Sequence, residues 1–207
     1  MSVMGKPLYI DFHAHHEALE DERVVRDGVD TWGIHPWHAA TFFQSGSAAL
    51  SEPLCLSGEM PVLIGECGLD KCCDTPFDIQ LRAFEHCVSV SERLALPLVL
   101  HCVRAMDECL AMRHRLGARQ PWVWHGFRGK PQQLRQLLAH GFYFSFGPLY
   151  NKESLQACPP DRLLLETDAQ QMPVRRVYEC VAADLGLSLE DLCQRVADNV
   201  AVLLQGK

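Results

Sequence analysis

Two histidines one residue apart, His13 and His15, close an apolar run that begins at Leu8. Alternate side chains of a β-strand share a face, so both imidazoles point the same way with Cα atoms about 6–7 Å apart, and two ring nitrogens can meet on one metal ion. A His-x-His pair alone is equally at home on a surface or in a satisfied hydrogen-bond network. Its weight comes from the other apolar runs, which end in His35, Glu66, His101, His125 and Thr167-Asp168. Each has an ordinary structural reading: Glu66 and Asp168 as capping carboxylates, His101 and His125 as hydrogen-bonded core histidines. Together they fit a shared metal site, because a buried carboxylate or imidazole costs stability unless it is paired or holds a metal.

The elements that must position these groups alternate along the chain. Strand-like runs occur at Leu8–His13, Thr31–His35, Val62–Glu66, Leu98–His101, Trp122–His125, Tyr143–Phe146 and Leu163–Thr167. Helical patterns lie at Phe77–Leu94, Ala105–Leu116, Gln132–Ala139 and Arg175–Leu185, and a final helix opens at an N-cap, Ser188, and runs to about Leu204. This β-α-β-α order predicts an α/β fold with a parallel sheet. Enzymes built as TIM-like (β/α) barrels gather their sites from the C-terminal ends of several strands, where the polar groups stand here. We therefore expect such a barrel, trimmed or with a degenerate second β/α unit around Arg23–Arg26, because the stretch from His16 to Asp30 is too short for a helix and a strand of normal length. The competing open doubly wound sheet lacks its usual G-x-G-x-x-G turn after the first strand.

At 207 residues, 48% hydrophobic and 22% charged, the chain is sized for a single domain covering residues 1–207. No apolar run reaches the length of a membrane span, and Lys6 and Pro7 precede the first strand where a signal peptide would place its apolar segment, so a cytoplasmic protein is expected. Of ten cysteines, Cys67, Cys102 and Cys180 lie within apolar segments and read as reduced thiols. Cys67, Cys72 and Cys73 lack the paired C-x-x-C spacing of a zinc cluster. A net charge of −7 argues against a broad grip on duplex nucleic acid, so any phosphate must be recognised locally.

Seven blocks then resemble the ordered motifs of the TatD-like metal-dependent hydrolases: Asp11-Phe12-His13-Ala14-His15, Gly33-Ile34-His35-Pro36-Trp37, Ile64-Gly65-Glu66-Cys67-Gly68-Leu69-Asp70, Leu96-Pro97-Leu98-Val99-Leu100-His101, Trp124-His125-Gly126-Phe127-Arg128-Gly129, Phe144-Ser145-Phe146-Gly147 and Leu164-Leu165-Glu166-Thr167-Asp168-Ala169. They span nearly the whole chain in the family's order. The resemblance implies a TIM-like barrel with a two-metal centre and a deoxyribonuclease or wider phosphoester hydrolase activity. It implies that His13, His15 and Asp168 bind the first ion, that Glu66 bridges both, and that His101 and His125 complete the second. Two departures fall at the loops that shape a pocket: the arginine after His101 is Arg104, three residues on instead of two, and the fifth-strand motif reads His125-Gly126-Phe127-Arg128-Gly129 instead of H-C-F-S-G.

Such mixed ligands suit zinc, manganese or iron, with magnesium where carboxylates dominate, and two divalent ions activate water for attack at phosphorus. Asp168 is the candidate general base. His35 either touches substrate, stands behind the ligands, or hydrogen-bonds its own G-I-H-P turn. Arg104, Arg128 and Lys130 are candidate phosphate contacts beside the plain reading as solvated charges. Glu166 reads as structural support for Asp168. The expected substrate is DNA or a small phosphodiester, engaged one terminal phosphodiester at a time as by an exonuclease, with no membrane and no protein partner implied. The alternatives are an amidase or lactonase that uses the same activated water on a carbonyl, and a non-catalytic metal-binding protein.

Overall fold

The computed structural model describes residues 8–19, 22–44 and 58–204. Lys6 and Pro7 lie outside them. The described residues fall into two compact units, one drawn from within Met1–Arg26 and His125–Gln205 and the other from within Asp27–Trp124.

The chain begins in the first unit with strands β1 (Tyr9–Ala14) and β2 (Glu22–Arg26). They pair in parallel, and among the described residues no helix separates them. The degenerate second unit expected from the sequence is thus a strand without its helix. Every residue of β1 is buried. Glu22 of β2 accepts a hydrogen bond from the Val174 N–H at 2.9 Å, so a carboxylate meets the positive end of the helix that starts there.

The second unit carries β3 (Thr31–Trp32), a short 3-10 turn at Pro36–His38, α1 (Ala39–Gln44), β4 (Leu63–Asp70), α2 (Phe77–Leu94), β5 (Leu98–Val103), α3 (Met106–Arg115) and β6 (Trp122–Trp124). Each strand pairs in parallel with the next. Helix α2 has Asp78 in its first turn and Arg93 in its last, charges that suit the helix dipole. It buries Ala83, Phe84, Cys87 and Val88. The two glycines flanking Glu66 are dictated by packing. A Cβ at Gly65 would lie 2.7 Å from the Val99 carbonyl oxygen, and one at Gly68 would fall on that of His101. Both also have a positive φ. Only glycine lets β4 approach β5 this closely.

The chain returns to the first unit with α4 (Pro131–Leu138), β7 (Tyr143–Phe146), α5 (Lys152–Ala157), β8 (Leu163–Leu165), α6 (Val174–Leu185) and α7 (Leu189–Leu204). Strands β7 and β8 pair in parallel, and an isolated parallel bridge joins Ala14 to Asp168. Phe127 packs edge-on against Phe144 and Phe146 in the core. Tyr178 of α6 is wholly buried; its hydroxyl accepts from the Ile10 N–H at 3.1 Å and donates to the Ile10 carbonyl at 3.0 Å.

All seven strand-like runs are strands, with shifted ends: β3 and β8 stop before His35 and Thr167, while β4 runs on to Asp70. Helices α1 and α5 were not anticipated, being six residues each. One reading of the cysteines is corrected. Cys67 is buried, but Cys180 is exposed on the outer face of α6; it is a surface thiol and not part of the core. Among the described residues all cysteines are free, and no helix is long and apolar enough to cross a membrane.

Replacing Tyr178 with Phe leaves two buried backbone groups of Ile10 without their hydroxyl partner. This should cost about 1–3 kcal/mol of stability, read as a lower urea midpoint. An unchanged midpoint would contradict the role given to this hydroxyl.

Candidate metal sites

In the first unit, β1 carries Asp11 and His13 at alternate positions, and His15 follows its last residue. The chain leaving β8 brings Asp168 beside them: the Asp168 N–H donates to the His13 carbonyl at 2.9 Å, and the His15 N–H to the Asp168 carbonyl at 3.2 Å. These bonds hold Asp168 at φ 56°, a left-handed conformation that a non-glycine residue adopts only when its surroundings fix it. One ligand atom from each of His13, His15 and Asp168 lies within 4.8 Å of the others. His13 is fully buried, whereas the side chains of His15 and Asp168 are 39% and 29% exposed. The cluster therefore has an inner face and a face open to solvent. The His125 ring lies 4.7 Å from that of His13.

Behind this cluster stand two buried carboxylates. Asp11 accepts from the Thr167 N–H at 2.9 Å and from its hydroxyl at 2.5 Å. Burial pushes its pKa up to about 7, with the nearby Glu166 and Glu22 adding to the rise and the Thr167 hydrogen bonds opposing it. Glu166 is fully buried; it accepts from the Gly126 N–H at 2.6 Å and faces Nδ1 of His125 at 3.4 Å.

The second unit holds a matching group. Glu66 Oε1 lies 2.5 Å from His101 Nδ1 and 3.2 Å from His35 Nε2, with ligand atoms of all three within 4.8 Å of one another. The Glu66 N–H donates to Asp27, which also takes the Thr31 hydroxyl. Asp70 faces His101 Nε2 at 3.5 Å and accepts from the Trp37 indole N–H at 2.8 Å and the Cys72 N–H at 2.7 Å. Burial alone would raise the Asp70 pKa; the hydrogen bonds from Trp37 and Cys72 together with His101 outweigh it and hold the carboxyl below its usual value. In both units a carboxylate backs an imidazole, the arrangement that orients metal-binding histidines.

Every residue expected at the site falls in or beside one of these groups except Arg104, Arg128 and Lys130, which are exposed on the segments following β5 and His125. His35 hydrogen-bonds within its own turn and also faces Glu66. Its Nδ1 accepts the Trp37 N–H at 3.2 Å, within its own turn, which leaves Nε2 to donate toward Glu66. Sequence reasoning missed Asp11, Asp27, Asp70 and the contact of Glu166 with His125. Asp11 was legible, since it shares the strand face of His13 and His15. Asp27 stands in a turn and carries no periodic signal.

His13, His15 and Asp168 in the first group, and His101 with Glu66 in the second, form mixed nitrogen and oxygen donor sets that fit a divalent ion such as zinc, manganese or iron. The sequence profile of the family described as TatD related DNase matches residues 9–205. A 3'-5' ssDNA/RNA exonuclease TatD from Cronobacter sakazakii is 36% identical over 157 residues, which are 67% of this chain and 56% of that protein. The deoxyribonuclease Tat-D of Schizosaccharomyces pombe is 32% identical over 165 residues, 71% of this chain and 53% of its own length. The chain thus spans about half the length of the curated relatives it matches. A crystal structure of a TatD family hydrolase from Entamoeba histolytica superposes with a TM-score of 0.73 at 17% identity, covering 91% of this chain and 77% of the other. That likeness shows the fold, the TIM-like α/β barrel class expected from the motif order.

Asp11 supplies a pH test of this local structure. The fold keeps it protonated up to about 7, while the unfolded chain ionises it near 3.8. The unfolded state therefore binds fewer protons across that window, and stability falls as pH rises through it; below it the carboxyl is protonated in both states and nothing is lost. With metal removed by a chelator, wild type should lose stability relative to Asp11→Asn between about pH 4 and pH 7, seen in urea midpoints. Parallel curves would show that Asp11 is not held protonated.

Proposed function

Because the chain belongs to the family of TatD related DNases, we propose that it is a metal-dependent hydrolase of phosphodiester bonds, acting on the ends of single-stranded DNA or on small phosphodiesters. The observation that carries this reading is the two histidine–carboxylate groups, His13 with His15 and Asp168, and His101 with Glu66, the ligand atoms of each within 4.8 Å of one another. The proposed ligands are His13, His15, Glu66, His101, His125 and Asp168, holding two divalent ions chosen from zinc, manganese and magnesium. Their division between the two ions follows the family resemblance. Bound divalent ions supply Lewis acidity and lower the pKa of water.

The residues of the chain do the rest. Asp168, open to solvent and 3.4 Å from His15 Nε2, takes the proton of the attacking water as general base. Glu166 and Asp70 fix the rings of His125 and His101. His35 donates to Glu66 and keeps that carboxylate aimed. Arg104 and Arg128, both exposed, take phosphate oxygens, for which a guanidinium offers paired donors. A net charge of −7 leaves no wide basic surface for a duplex, which is why strand ends and short esters are the proposed substrates. In the same proposal the chain works as one catalytic domain in the cytoplasm, where its free thiols stay reduced.

The test combines metal analysis with turnover. Reconstituted protein should retain two equivalents of divalent metal per chain and hydrolyse bis(p-nitrophenyl) phosphate and short single-stranded DNA. Asp168→Asn should keep the fold and lower kcat by about 10²–10⁴-fold. Efficient nicking of closed circular DNA, or hydrolysis of lactones with none of phosphodiesters, would overturn the reading.

A further inference from the structure

Trp37 lies beside the Glu66 group and is 58% exposed, unusual for so large an apolar side chain. It is nonetheless held at several points. Its indole N–H donates to Asp70 at 2.8 Å, its backbone N–H to His35 at 3.2 Å, and its carbonyl accepts from the Thr75 hydroxyl at 3.1 Å. The ring meets His35 edge-to-face at 4.9 Å between centroids and stands 6.3 Å from His101. An aromatic plane fixed in this way and left open to solvent loses little side-chain freedom when something stacks on it. Next to it is a pocket of about 250 Å³ lined by Trp37, Cys72, Cys73, Asp74 and Thr75. This is below the size of drug-like pockets and suits one planar ring.

We propose that Trp37 and this pocket form a stacking subsite for one nucleobase of the single strand whose phosphodiester is cleaved at the adjacent histidine–carboxylate group. The inference rests on the nuclease reading above and adds the part of the substrate recognised away from phosphate. Charge decides between base and phosphate as the occupant. The Asp74 carboxylate in the lining repels a phosphate and accepts from the amino edge of a base, while the indole offers a face that any base can stack on. Asp70 ties the subsite to the chemistry, since the same carboxylate takes the Trp37 N–H and faces His101. A base seated on Trp37 therefore has its backbone phosphate within one nucleotide of His101.

The experiment measures binding by fluorescence anisotropy, using end-labelled phosphorothioate hexamers with and without bases. Wild type, Trp37→Phe and Trp37→Leu are compared, the last keeping apolar bulk without an aromatic face. Wild type should bind the base-bearing hexamer about 5- to 100-fold more tightly than the abasic one. Trp37→Leu should lose this preference, and Trp37→Phe should restore most of it. A preference that survives in Trp37→Leu overturns the subsite, and if base-bearing oligomers are still cleaved it leaves the nuclease reading standing. A preference lost in Trp37→Leu, in a protein that cleaves no phosphodiester, supports the subsite and overturns the nuclease reading.

Discussion

Two hydrogen bonds from Thr167 to the buried carboxylate of Asp11 join residues 156 positions apart in the sequence. A buried carboxylate must be satisfied or it destabilises the fold, and here the partners come from the residue next to Asp168. Meeting that requirement brings the end of β8 to the face of β1 that carries His13 and His15. The backbone bonds between Asp168, His13 and His15 follow from it, as does the left-handed conformation at Asp168. The three side chains that can share an ion are thus held by a constraint that involves none of their ligand atoms.

The second unit solves the same problem with different parts. Glu66 is 4% exposed and sits between two glycines that let its strand press against β5. Asp27 takes its backbone N–H, and His101 and His35 face its carboxylate. The two units share three parts: a carboxylate that can bind metal, an imidazole beside it, and a further carboxylate behind one of the imidazoles. Glu166 and Asp70 fill that last role for His125 and His101. Both groups gather negative charge in partly buried surroundings, and a divalent cation is the species that would neutralise it.

The sequence showed more of the frame than of its supports. Strands with strong apolar runs and the long helix α2 were legible, because burial writes itself into periodicity. His35 left its strand because Pro36 starts a 3-10 turn for which His35 serves as cap. Helices α1 and α5 are too short to show a period; Asn151, whose side chain caps α5 through the Ser154 N–H, was the available clue. The metal-ligand candidates were visible as polar residues at strand ends. Asp27 was not, because a turn residue looks like any surface acid until the fold shows what it holds, and Asp70 was visible only as the last residue of a motif. Trp37 was visible only as part of a motif, and its exposure is a property of packing that no local pattern predicts.

The central claim is that the two histidine–carboxylate groups are metal sites. Anomalous diffraction from crystals grown with manganese tests it most directly. The account predicts one strong peak among His13, His15 and Asp168 and another at Glu66 and His101, each within about 2.0–2.3 Å of its nitrogen and oxygen ligands. Peaks elsewhere on the chain, or none at a saturating concentration, would contradict it.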